Sequence, residues 1–217
     1  MSSFIGKLKS LSRRRILYAV LAVGVIAALG LAVKNFRYHF VPHDVSVVEP
    51  GGIVRGARQT PFMLRKIIQD YHIRTIINLD DKVLERRNKN RPDADPYVRE
   101  KAIARDLGVQ YHGFVWQGSG IGPYPEYDAV ADILATTSSR PVFLHCAAGE
   151  KRTNAALVAY WIRYRGYTLE RAIEGLMPYG FTPSRRPELI EHLRGYFEYT
   201  KRTPQPGPPT KTPEKKK

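Results

Sequence analysis

Cysteine is almost missing from this chain: 217 residues contain one, Cys146. A lone thiol forms no internal disulfide, so the fold must be held by its core and a cross-linked scaffold is excluded. Acid is also missing, but only locally. No Asp or Glu precedes Asp44, and residues 201–217 hold a single acid, Glu214. These local absences account for most of the formal net charge of +15. Residues 1–15 and 201–217 with Lys34 and Arg37 carry +12 of it, leaving +3 for residues 38–200. A folded part so nearly balanced argues against nucleic acid as a partner. Hydrophobic residues at 43% and charged residues at 25% exclude wholesale disorder. No internal repeat is present.

Against these absences stands one long apolar run. Residues 16–33, ILYAVLAVGVIAALGLAV, contain no charge and as a helix would rise roughly 27 Å. Five bases precede the run and two follow it. The pattern predicts a single-pass transmembrane helix, with residues 1–15 as a basic cytoplasmic N-terminus and residues 34–44 as a linker. The rest of the chain is then placed on the exported side, the periplasm in a bacterium, with the membrane as a partner. A cleaved signal peptide, with Ala28, Gly30 and Ala32 near the cleavage site, is the competing reading, and a mitochondrial presequence a third. Residues 201–217, rich in Pro and Lys, predict a disordered tail.

Between the ends, short β-rich runs alternate with helical ones, the pattern of a sheet covered by helices. Residues 45–49, 52–57, 73–79, 109–116 and 141–145 read as strands. Helices are expected from Pro61, which Thr60 caps, and over 97–108, 125–135 and 153–166, with two more before residue 200. The expected fold is a single α/β domain over residues 45–200, its central sheet of about four to five strands flanked by helices. Residues 80–96 form a long polar loop rich in bases. Trp116 and Trp161 read as packing residues, and His112 as a structural histidine.

Cys146 sits where a strand stops and a helix starts, in HCAAGEKRT. Backbone N–H groups in such a loop turn inward, and the following helix aims its positive end at the same point, making an anion cup. Ala147, Ala148 and Gly149 let the backbone approach an anion closely, with Glu150 and Lys151 completing the loop. Arg152 closes it, its planar fork matching two phosphate oxygens. The same field favours the Cys146 thiolate, the form that attacks. Thr153 is placed to donate to that sulfur, and His145 to orient the loop through a hydrogen bond.

HCAAGEKRT resembles the H-C-x-x-G-x-x-R-[ST] signature of the cysteine-based protein tyrosine and dual-specificity phosphatases. GIVRGARQ, the helix after it and IRTIINL resemble the opening half of small bacterial dual-specificity-like members, as does AIEGLMPYG downstream. The resemblance spans residues 45–197. It implies a dual-specificity phosphatase-like fold and a two-step phosphoryl transfer in which Cys146 forms a phosphocysteine that water hydrolyses. Arg152 and the loop N–H groups then stabilise the equatorial oxygens, and neither metal nor cofactor is needed. The implied substrate is a phosphoprotein or a lipid or glycolipid phosphate. Rhodanese and arsenate reductase chemistry also uses a cysteine loop ending in arginine, but the upstream half and the lack of a resolving thiol argue against it.

One part of the pattern is absent. Family members usually carry an aspartic acid, which protonates the leaving oxygen, on the loop after the fourth strand. Gln117, Gly118 and Ser119 stand there instead. Glu126 and Asp128 are candidates at the start of the next helix, then Asp93 and Asp95 in the long loop, and Glu150 within the cup. A site without a good acid favours groups that leave as stable anions, such as phenolates or the phosphate of a pyrophosphate, or it binds phosphate without turnover. The glycines of QGSGIG suit either a closing loop or an ordinary turn. Arg86, Arg87, Lys89, Arg91, Arg185 and Arg186 are placed to rim the pocket or to lie on a solvated face.

Overall fold

Strands of alternating outlook build the centre of the molecule. In the computed structural model, which describes residues 13–81 and 96–203, five strands form one sheet in the order β1-β2-β5-β3-β4. They are β1 (Ser46–Glu49), β2 (Ile53–Ala57), β3 (Thr75–Asn78), β4 (Gln110–Gly113) and β5 (Val142–Cys146). The β1–β2 pair is antiparallel and every other pair is parallel. Parallel pairing needs crossovers, and helices supply them. In chain order the helices are α1 (Arg13–Phe40), α2 (Pro61–Asp70), α3 (Pro96–Asp106), α4 (Tyr124–Ala135), α5 (Lys151–Arg165), α6 (Leu169–Glu174) and α7 (Pro187–Thr200).

The two-residue period of a strand divides the core into two layers. Ile53, Ile77, Val142, Leu144 and Cys146 face a cluster that includes Ala155, Leu157 and Val158 of α5. Val54, Ile76 and Phe143 face the other side, against Leu64, Ile67 and Ile68 of α2 and Ile103 and Ala104 of α3. Strands buried on both faces are what β2, β3 and β5 show at every position, as parallel sheets require.

Local signals set several element ends. Thr60 accepts a hydrogen bond from the Met63 N–H at 3.3 Å, with Pro61 opening α2. Gly166, at φ +64°, closes α5. The strand expected over 109–116 ends earlier, at Gly113. A side chain there would run into the Asp81 carboxylate, and the chain instead bends across the end of β3, where Asp80 and Val115 form an isolated antiparallel bridge.

The expectation of a transmembrane helix is corrected. Residues 16–33 are helical, within α1, and the helix runs on to Phe40 through most of the expected linker. Yet no helix among the described residues is long and apolar enough to cross a membrane. Arg15 and Lys34 bound the apolar run, so the uncharged part of α1 is limited to 18 residues, about 27 Å against a ~30 Å hydrocarbon core. The expected membrane partner loses its support with it. The chain forms two compact units, Met1–Val41 and Pro42–Lys217, and the sheet belongs to the second. The long loop's bases and acids, and residues 204–217 of the expected tail, lie outside the described residues.

Candidate active site

Three parallel strands, β2, β5 and β3, lie side by side and end at one edge of the sheet. The residues that follow them therefore meet there, as at the carboxyl edge of other open α/β sheets. β5 delivers the loop from Cys146 to Lys151, β2 delivers Arg58, and β3 delivers Asp80.

The loop has its carbonyls turned outward and engaged. Ala147 O accepts the Arg58 N–H at 3.3 Å, Glu150 O accepts the Asn154 N–H at 2.9 Å, and His145 O accepts the Leu79 N–H at 2.9 Å. Gly149 O accepts from Arg55 Nη2. The N–H groups of Ala147, Ala148, Gly149 and Glu150 donate to nothing among the described residues. A run of free N–H groups on the opposite side from paired carbonyls is an anion nest. The α5 N-terminus, whose first N–H groups have no intrahelical acceptor, adjoins it.

Gly149 makes this curvature possible. Its φ is +71°, and a Cβ there would sit 2.5 Å from Asp44 Oδ2 and 2.7 Å from the Ala57 backbone nitrogen. Backbone does not yield as a flexible side chain does, so strain and clash add. Gly149→Ala is expected to cost about 2 kcal/mol or more of stability, measured as a lowered Tm. An unchanged Tm would mean that the loop does not need this backbone.

Alternation along β5 separates Cys146 from His145. Cys146, 2% exposed, belongs to the α5-facing layer. His145 points to the other face, where its ring stacks on Phe143 and Nε2 meets Glu100 Oε1 of α3 at 2.5 Å. His145 thus ties the loop's first residue to a buried carboxylate that sequence reasoning missed. Thr153 is fully buried and its Oγ1 has no hydrogen-bond partner, so the expected bond to the Cys146 sulfur is not made. The buried amide of Asn154 is likewise unpaired.

Arg152 is 7% exposed. Its Nη1 meets Asp80 Oδ1 and the Trp116 carbonyl, the latter at 3.4 Å. Its Nε and Nη2 edge makes no hydrogen bond among the described residues. A guanidinium held by one corner leaves the two-nitrogen edge that matches two phosphate oxygens. Asp80 also takes Arg58 Nη2 on its other oxygen, linking the arginine after β2 to the arginine of the cup.

Each described sequence candidate for the acid is bonded elsewhere. Glu126 accepts from the Trp116 indole N–H at 2.7 Å. Asp128 accepts from Tyr196 at 2.8 Å and pairs with Arg163 at 3.1 Å. Glu150 turns to Arg186 at 2.6 Å. Asp93 and Asp95 lie outside the described residues. Among the described residues, Asp80 is the carboxylate that pairs with Arg152. Its two oxygens meet two guanidinium groups, Arg152 and Arg58, which suits it to hold Arg152 in place. The QGSGIG segment is a pinned turn: Gly120 O accepts from Tyr127 at 2.6 Å, and a Cβ on Gly120 would lie 3.1 Å from Lys151 O.

Arg55 escaped sequence reasoning altogether. It is fully buried in β2, with Nη2 on Gly149 O and on Asp44 Oδ2, the latter at 3.2 Å, and its guanidinium over the Tyr179 ring. Burial lowers its proton affinity from the ordinary arginine range, opposed by Asp44. Its other nitrogens are unpaired. No group of three His, Cys, Asp or Glu suited to hold a metal occurs among the described residues.

No protein-family model and no curated protein sequence matches the chain. Solved structures do. PTPMT1 aligns with a TM-score of 0.52 at 17% identity, over 73% of this chain and 99% of that one. TpbA of P. aeruginosa gives 0.52 at 17% identity, over 70% and 84%. The catalytic domain of the PP-IP phosphatase SIW14 from S. cerevisiae gives 0.55 at 16% identity, over 74% and 90%. The strand order, the cup at the end of β5 and these alignments agree: the chain has the fold of the cysteine-based tyrosine and dual-specificity phosphatases.

Proposed function

We propose that the protein is a cysteine-dependent phosphomonoester phosphatase acting through a phosphocysteine. The observation that carries this reading is the loop itself. Four free N–H groups and the unpaired Nε–Nη2 edge of Arg152 surround the end of β5, where Cys146 sits. In the first step the Cys146 thiolate attacks phosphorus, the bond to the leaving oxygen breaks, and its electron pair stays on that oxygen. The loop N–H groups and Arg152 hold the three equatorial oxygens. In the second step water attacks the phosphocysteine, releasing phosphate and restoring the thiolate.

The substrate follows from what the site does not position. The described sequence candidates for the acid, Glu126, Asp128 and Glu150, are all bonded elsewhere. The reading is therefore of substrates whose leaving group departs as a stable anion, a phenolate or a phosphate. Related solved structures hold PI(5)P in PTPMT1 and phosphotyrosine in TpbA, so phosphoprotein and lipid phosphate are both in view. The engagement of Glu126, Asp128 and Glu150 elsewhere among the described residues also supports a second reading, a phosphate-binding protein without turnover.

Rapid acid quench during reaction with a ³²P-labelled aryl phosphate separates the two. The expected result is acid-stable label on the peptide containing Cys146. Saturable phosphate binding with neither label nor product would leave the binding reading in its place.

A further inference from the structure

A cavity of about 230 Å³ opens beside the cup, lined by Ser119, Lys151, Arg185, Arg186, Glu188 and Leu189. It lies between the start of α5 and the start of α7. The catalytic cup does not use it, yet the two share a wall. Lys151 directly precedes Arg152, one Cα step of about 3.8 Å away. Successive helical side chains diverge by about 100°, which sends Arg152 to Asp80 and Lys151 to the cavity. Arg186 is tied to Glu150 of the loop at 2.6 Å, so the cavity is braced by the cup's own residue. The turn at Gly120 rests on Lys151 and brings Ser119 to the rim.

Charge decides what fits. Three cations face the cavity against Glu188, and Glu150 neutralises part of Arg186. Lys151 and Arg185 pair with no carboxylate among the described residues. Two unneutralised cations over an apolar Leu189 floor repel each other, and a dianion relieves both. The volume is below the ~300 Å³ at which pockets for whole ligands begin. It suits one group of a larger substrate whose other end is in the cup.

We propose that this cavity is a subsite for a second phosphate of the substrate, held by Lys151, Arg185 and Arg186 while the first phosphate occupies the Cys146 loop. The inference rests on the phosphatase reading for which group is cleaved, but not for binding. Lys151 works at the junction, its backbone in the loop and its side chain in the subsite. Arg185 belongs to the subsite alone.

Binding to the full chain carrying Cys146→Ser tests the subsite without turnover. Inorganic pyrophosphate is expected to bind at least about tenfold more tightly than inorganic phosphate, a difference of ~1.4 kcal/mol. Adding Arg185→Glu is expected to remove that preference and leave phosphate affinity within about twofold, because the cup is untouched. Vesicles bearing a bisphosphorylated phosphoinositide, compared with the deacylated head group, distinguish a lipid source from a free one. Tighter binding of either than of its monophosphate counterpart supports the subsite. Equal affinity for phosphate and pyrophosphate, or a preference that Arg185→Glu leaves intact, overturns it. Failure of the phosphatase reading shows up separately, as no labelled Cys146 in the wild-type chain whatever the binding preference.

Discussion

Cys146→Ser is expected to lower aryl phosphate turnover by on the order of 10⁴-fold or more while leaving phosphate binding intact. A serine hydroxyl is un-ionised at neutral pH, and the neighbouring imidazole, His145, does not stand ready to activate it, since it points through the sheet to Glu100. The cup does not depend on sulfur for its shape. Its carbonyls are held by Arg55, Arg58 and Leu79, and its arginine by Asp80. Turnover by steady-state assay and phosphate affinity by calorimetry check the two halves separately. Turnover within tenfold of wild type would remove Cys146 from the chemistry. Lost phosphate binding would mean that the thiolate itself shapes the cup.

Asp80→Asn is expected to lower kcat/KM by about 10²-fold, mostly through kcat, and to lower Tm as well. Asp80 is 3% exposed and bridges Arg152 to Arg58. Removing one partner of a buried pair strands the other charge, which costs about 3–5 kcal/mol in comparable cases. The catalytic loss has a different origin. Arg152 is aimed by its Nη1 corner, and a misplacement of roughly 1 Å at a site of this kind costs about 10²-fold. A merely structural role would lower Tm and leave kcat of the folded fraction unchanged. Partial recovery of kcat in Asp80→Glu, which restores the charge at a longer reach, is the outcome that marks a positioning residue. An unchanged kcat in Asp80→Asn sinks the assignment.

The site's first layer was legible because its chemistry is local. Cys146, Gly149 and Arg152 lie within one loop and one helix start, so residue type and spacing alone suggest a cup. The second layer was not. Arg55 lies 94 positions before the Gly149 carbonyl it holds, and Asp80 lies 72 before Arg152. One signal for Asp80 was present: it is the first acid after a wholly buried strand. Its significance required knowing that β3 neighbours β5.

The roles expected of His145 and Thr153 show the same limit. His145 was expected to orient the loop through a hydrogen bond, but which residue it would meet was not legible: a strand's two-residue period turns it to the face opposite Cys146, where it meets Glu100. Thr153 lies at the right offset in sequence, yet its hydroxyl bonds to nothing. The apolar run at residues 16–33 shows it from another side: sequence showed that it is helical, and the helix then fell short of a membrane span.

The sequence by itself determined the alternation of strand and helix, the caps at Thr60 and Gly166, and the loop that surrounds Cys146, since each depends on residues within a turn or two of one another. Only the tertiary structure decided what holds that loop, where the acids go and which cations border the cup. Those depend on the strand order β1-β2-β5-β3-β4, which brings the ends of three distant strands to one edge, and no local pattern of residues encodes which strand ends beside which.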